Sequence, residues 1–187
     1  MSPPFRRLGS QVRYQGSLFG VTSVEFEGPS GDRFERDIVH HPGAVVVVPV
    51  TDEGRVIMVR QFRAAIGTDL LEVPAGKRDV DGEPTEVTAA RELAEEVGRR
   101  AGRLDLLARF YNSPGFTDEL THLYLAQDLV EVPLDRQGHE EQEMTVEEVD
   151  LHDVPALIAD GRLIDAKSII GLALARERLS GGWDTPS

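Results

Sequence analysis

Gly76-Lys77-Arg78-Asp79-Val80-Asp81-Gly82-Glu83 and, seven residues on, Arg91-Glu92-Leu93-Ala94-Glu95-Glu96-Val97-Gly98 decide the reading of this chain. Pro84 suits a first-turn position, where its missing N–H is no loss. The residues from there to Val97 are mostly good helix formers, and Gly98 is the stop. On a helix Glu92, Glu95 and Glu96 stand at i, i+3 and i+4, with Cβ atoms about 5–6 Å apart. Like charges so placed repel each other, so the cluster asks for a cation, and hard carboxylate oxygens suit Mg²⁺ or Mn²⁺. Val87, Ala90, Ala94 and Val97 recur at three- and four-residue steps and predict the apolar stripe that faces the core. The glutamates then fall on another face, open to a cleft. Gly76 and Gly82 frame a polar loop in which the backbone can approach a ligand closely. The competing reading is a solvated acidic face balanced by Arg91, Arg99 and Arg100.

Taken together, Gly76, Glu83 and the run from Arg91 to Gly98 resemble the signature of the Nudix hydrolases, which cleave nucleoside diphosphates linked to another group. The spacing matches at every position from Glu83 to Gly98. Two departures stand out: the spacer between Gly76 and Glu83 is one residue longer than usual, and Arg99 replaces a customary apolar residue. The resemblance implies Glu92 and Glu96 as the main metal ligands, assisted by Glu95 and the carbonyl of Ala75. Glu83 and Arg91 would hold the loop and helix in place.

The remaining composition bounds the possibilities. The 187 residues suffice for one catalytic domain with a modest extension and a real core. There is no cysteine, which excludes disulfides, thiolate metal sites and a cysteine nucleophile. No apolar run is long enough to cross a bilayer, and Met1 to Arg7 lacks the apolar core of a secretory signal. The cytoplasm is therefore the expected compartment. A net charge of −13 argues against a nucleic-acid partner, which would need a basic face. The same charge repels an anionic pyrophosphate, so its binding has to rest on local arginines and divalent ions.

Along the chain, Val12–Tyr14, Leu18–Phe26 and Arg33–His40 read as strands, with a strong turn signal at Gly28-Pro29-Ser30-Gly31-Asp32. Ala44–Pro49 is a continuous apolar run, typical of a strand buried on both faces. Arg55–Phe62, Leu70–Val73, Leu104–Tyr111, His122–Leu129 and Met144–Leu151 follow as strands, and helices are predicted over Val154–Ala159 and Ala166–Leu179. The expected fold class is α/β: a Nudix-type α/β/α sandwich round one mixed sheet, with a small N-terminal antiparallel β region. The boundary is expected at residues 1–42 against 43–187. The five histidines show no ligand spacing and read as structural or exposed.

Three further stretches bear on substrate by resemblance. Arg60-Gln61-Phe62-Arg63 and Leu70-Leu71-Glu72-Val73-Pro74-Ala75-Gly76 are similar to runs in ADP-ribose pyrophosphatases, which implies that Arg63 contacts the diphosphate and Glu72 contacts substrate or an arginine. Pro114 in Ser113-Pro114-Gly115-Phe116 lies sixteen residues past Gly98, the mark of that branch, and makes Pro114 and Phe116 substrate-binding candidates. A glutamate of the polar loop His139–Glu143 would orient or deprotonate the attacking water; Glu141 ranks first, Glu140 next and Glu143 third, with Glu96 the third catalytic candidate beside Glu141 and Glu140. The implied reaction is metal-dependent hydrolysis of ADP-ribose to AMP and ribose 5-phosphate. The N-terminal strands are implied to exchange between two subunits in a homodimer, with Arg36 or Phe19 reaching the partner's adenine pocket. Alternatives are another nucleoside diphosphate sugar such as GDP-mannose, an oxidised nucleotide, or a non-catalytic nucleotide-sugar sensor.

Overall fold

The computed structural model describes residues 4–136 and 142–182. Its elements in chain order are β1 (Arg6–Gln15), β2 (Gly20–Glu27), β3 (Arg33–His40), β4 (Ala44–Pro49), β5 (Arg55–Arg63), β6 (Thr68–Glu72), β7 (Ala75–Lys77), α1 (Thr85–Val97), β8 (Arg99–Tyr111), β9 (Leu120–Glu131), β10 (Thr145–Asp150), α2 (Val154–Ala159) and α3 (Ala166–Leu179). They divide into two compact units. One is built on β1, β2 and β3 with Tyr111–Leu120; the other runs through Ala44–Phe110 and resumes at Thr121.

In the larger unit the organising element is β4, whose six residues are all buried. Side chains alternate across a strand, so its valines serve two cores. Val45 and Val47 pack with Ile57, Val59, Tyr124 and Ala126 against Ala89, Leu93 and Val97 of α1. Val46 and Val48 pack with Met58, Leu123 and Leu125 against Leu157, Leu163, Leu172 and Ala175 in and around α2 and α3. Helices on both sides of the strands make the expected α/β/α sandwich. The apolar run of β4 is thus read correctly as doubly buried. Gly171 shows how close α3 comes: a Cβ there would lie 2.9 Å from Val48 and 3.0 Å from Leu123. Among the described residues no helix is long and apolar enough to cross a membrane.

One expectation is corrected. The strands of this unit form two sheets, not one: β10-β5-β6, and β7-β4-β9-β8. Both edges of β4 are taken, antiparallel by β7 and parallel by β9, so β5 pairs with β6 and β10 instead. Most strand boundaries shift by one or two residues, and three elements differ more. β7 falls where the sequence predicts loop, because three residues including a glycine carry no periodicity. β8 starts at Arg99, since Gly98 in the left-handed region (φ 62°) turns the chain straight from helix into strand. β1 is longer than Val12–Tyr14 because it is exposed along nearly its whole length and shows no hydrophobic alternation.

The smaller unit is an antiparallel meander in the order β1-β2-β3. Gly31, at φ 86°, makes the tight turn between β2 and β3, closed by Gly28 N–H to the Asp32 carbonyl at 2.8 Å. The stretch 113–118 is pinned to β3 by Val39 N–H to the Phe116 carbonyl (2.8 Å) and Asp118 N–H to the Val39 carbonyl (3.2 Å).

Candidate active site

α1 is held at both ends. Pro84 is its N-cap, one residue outside the helix, and the Thr88 hydroxyl donates to Glu83 at 2.7 Å. At the other end Arg136 donates twice to the Glu96 carbonyl (3.2 Å) and once to the Met144 carbonyl (2.5 Å), a cation where the helix dipole favours one.

The apolar stripe is not the expected one. Ala89, Leu93 and Val97, at i, i+4 and i+8, face the core, whereas Val87 is 48% exposed and Ala90 is exposed. Glu92 and Glu96 flank that stripe on its buried side, 9% and 4% exposed. The reason lies in the facing backbone. The Ala75 N–H donates to Glu96 Oε2 at 3.1 Å. The Glu92 carboxylate lies over Gly76, where any Cβ would collide with it. The glycine there provides room, not a turn. Burial removes the solvated-face reading, because carboxylates that serve only solubility stay in water.

Glu95 remains partly exposed. Arg91 lies among the acids: Nη1 is 2.9 Å from Glu92 and 2.9 Å from Glu95, and Nη2 is 3.7 Å from Asp79 and 3.8 Å from Glu83. Burial pulls against its charge, but the carboxylates of Glu92, Glu95 and Glu83 hold the guanidinium above its ordinary value. Its Nε and Nη2 are buried without a hydrogen-bond partner among the described residues. Among those residues no three carboxylate or imidazole groups are drawn together as a finished ion site; Arg91 stands between them. The donors nevertheless fit a hard divalent cation: carboxylate oxygens in excess over the one cation among them, two of them nearly buried, beside a backbone stripped of a side chain at Gly76.

A second charged group is formed by the last residues of β5 and β6. Arg63 Nε and Nη2 each donate to one Glu72 oxygen at 2.6 Å, and Glu72 is 1% exposed. Arg63 is thus a partner of Glu72 in this structure. The Glu72 hydrogen bonds raise the Arg63 pKa above its ordinary value despite burial, with support from the charges of Glu72, Asp165 and Glu96. Arg63 thus feels the carboxylate that Ala75 holds. Lys167 Nζ is 3.5 Å from Glu72 and 2.6 Å from Asp165.

Arg36, Pro114 and Phe116 belong to the smaller unit. Arg36 lies over the Phe34 ring, 4.7 Å from its centroid, and Phe116 is 57% exposed at the tip of the pinned stretch. Glu140 and Glu141 lie outside the described residues; Glu143 is exposed. His40 bridges Thr22 (2.7 Å) and Asp118 (2.6 Å), a structural role. His122 is 8% exposed, and burial, then the charges of Arg78 and Arg109, push its pKa down.

With this geometry in view, comparison with known proteins decides the family. The NUDIX domain model matches residues 40–169. The chain belongs to the Nudix family. It is 42% identical to the ADP-ribose pyrophosphatase of Bacillus subtilis (strain 168) over 163 residues, 87% of this chain and 88% of that one. It is 36% identical to the ADP-ribose pyrophosphatase of Mycobacterium tuberculosis (strain ATCC 25618 / H37Rv) over 182 residues, 97% and 87% of the two chains. A crystal structure of ADP compounds hydrolase superposes with a TM-score of 0.84 at 27% identity, covering 96% of each chain. In this Nudix chain three polar residues escaped the sequence reading: Arg136, Asp165 and Lys167. Asp165-Ala166-Lys167-Ser168 does carry a helix N-cap signal, but nothing local says that this cap meets Glu72.

Proposed function

We propose that this chain is a divalent-cation-dependent hydrolase that cleaves the diphosphate of ADP-ribose to AMP and ribose 5-phosphate. The observation that carries the reading is the burial of Glu92 and Glu96 at 9% and 4% exposure, one turn apart, against Ala75 and Gly76. Two buried carboxylates beside a third on one helix offer the hard oxygen donors that a divalent cation takes. The names of the Bacillus and Mycobacterium relatives favour ADP-ribose among the diphosphates.

Each residue then has a task. Glu92 and Glu96, with Glu95 and the Ala75 carbonyl, would hold Mg²⁺ or Mn²⁺. The chemistry such an ion supplies when bound is polarisation of phosphoryl oxygens and acidification of water. Arg91 spaces and orients the carboxylates, and Glu83 steadies it across 3.8 Å. Arg63 keeps part of its donor fork free for the diphosphate while Glu72 fixes its plane. Glu141, with Glu140 next, is assigned the orientation and deprotonation of the attacking water. Arg136 clamps both flanks of that loop, the chain at residue 136 and the Met144 carbonyl, to the end of α1. Arg36, Pro114 and Phe116 are assigned to the nucleoside end. A homodimer built on the smaller unit is supported by the exposed Phe5, Val12, Tyr14 and Leu18, 46–65% accessible; sedimentation at micromolar concentration is expected to give twice the monomer mass.

The test of the activity is incubation with ADP-ribose and Mg²⁺ in ¹⁸O-labelled water. AMP and ribose 5-phosphate are expected, one of them labelled. No cleavage, or faster turnover of GDP-mannose in parallel, would overturn the assignment of substrate.

A further inference from the structure

Glu72 is shut away from water, yet the guanidinium that serves it is also the one assigned to the substrate's diphosphate. The two duties compete. Arg63 spends Nε and Nη2 on the two Glu72 oxygens, both at 2.6 Å, and has its remaining N–H groups for a second anion. Any movement of Arg63 towards phosphate leaves a buried carboxylate short of its partner, which is heavily penalised. A second cation at Glu72 would remove that conflict.

Lys167 is such a cation. Its Nζ lies 3.5 Å from Glu72 Oε2 and donates to Asp165 Oδ1 at 2.6 Å. Asp165 is itself fixed: Oδ2 accepts the Ser168 N–H at 2.9 Å and the Ser168 hydroxyl at 2.7 Å, capping α3. The Ser168 Oγ accepts in turn from the Val73 N–H at 2.9 Å, one residue past Glu72. The first turn of α3 is thereby laced to the end of β6. Burial would raise the Asp165 pKa, but Lys167 and Ser168 hold it below the ordinary carboxylate value, so the acid stays charged and keeps the ammonium in place.

We propose that Lys167 is a positioning residue for the diphosphate clamp: it shares the charge of Glu72, so that Arg63 divides its donors between Glu72 and phosphate oxygens. The inference rests on the reading of Arg63 as a phosphate contact. It needs no direct contact between Lys167 and substrate, and none is assigned.

The test compares Lys167→Met and Lys167→Arg in the wild-type and Arg63→Lys backgrounds, reading KM and kcat for ADP-ribose, calorimetric affinity for inorganic pyrophosphate with Mg²⁺, and Tm. Lys167→Met is expected to raise KM and weaken pyrophosphate binding by about tenfold, as for coupled neighbours, with kcat nearly kept. Lys167→Arg restores most of both. In the Arg63→Lys background, which has no fork to divide, Lys167→Met adds little. An unchanged KM, an equal loss in both backgrounds, or losses that follow Tm alike in Met and Arg variants would each overturn it. If Lys167→Met fails to fold, Lys167→Gln serves the same comparison. Failure of the substrate assignment reads differently: ADP-ribose is not cleaved while pyrophosphate affinity still depends on Lys167.

Discussion

Around Arg63 two cations, Arg63 and Lys167, face two carboxylates, Glu72 and Asp165. Around Arg91, among the described residues, one guanidinium lies 2.9–3.8 Å from four carboxylates, Asp79, Glu83, Glu92 and Glu95. Both groups belong to the larger unit, and both contain carboxylates nearly closed to water. The first is balanced and tightly hydrogen-bonded, a brace between β5, β6 and α3. The second gathers several carboxylates around a single guanidinium, with Glu96 one turn along α1 from Glu92. Burial by itself therefore does not mark a site for an ion. On the proposed function, what sets the second group apart is that its acids share one helix and its preceding loop, an oxygen donor set suited to a hard divalent cation.

The largest effect expected from this contrast is on turnover. Glu96→Gln or Glu92→Gln removes a charge from the second group and should lower kcat under saturating Mg²⁺ by about 10³-fold, several kcal/mol of transition-state stabilisation. Tm is expected to hold or rise, since repulsion is relieved. Retention of most turnover would place the two groups in one class. Gly76→Ala comes next: a methyl group driven into the Glu92 carboxylate should cost about 1–3 kcal/mol in urea unfolding and depress activity with it.

Arg91→Ala is a smaller change in stability and a sharper one in ion dependence. The guanidinium is partly exposed, so the apoprotein should lose about 1 kcal/mol or less. The rise in Tm on adding Mg²⁺ should exceed that of wild type, because the ion takes over the compensation. An equal rise would mean that Arg91 and the cation do not share the carboxylates. The balanced group gives the mildest effect, at acid pH. Asp165 has a folded pKa below its ordinary 3.8, so its contribution is present above that value and is lost as pH falls through the folded pKa. Asp165→Asn should flatten that acid limb, measured as Tm against pH below about 4.

How far the sequence could be read depends on where the signal lives. Ala44–Pro49, Val154–Ala159 and Ala166–Leu179 were legible with their ends, because long apolar runs and helical patterns are local. The acidic helix was legible in extent but not in facing. Alanines at 90 and 94 matched a stripe as well as Ala89 and Leu93 did, and periodicity cannot know that Gly76 and the Ala75 amide would draw Glu92 and Glu96 inward. The short β7 and the split into two sheets follow from which edges of β4 are filled, a tertiary fact. In the same way Arg63 and Glu72 can be named, whereas Lys167 comes to them from 95 residues downstream of Glu72, with Asp165, through the cap of α3.

The most direct measurement is Mn²⁺ binding by calorimetry to wild type, a Glu92→Gln/Glu96→Gln variant and Glu72→Gln. Wild type and Glu72→Gln are expected to bind alike, and the double variant to have lost binding. Binding that survives the loss of Glu92 and Glu96, or that fails as badly without the charge of Glu72, would contradict this expectation.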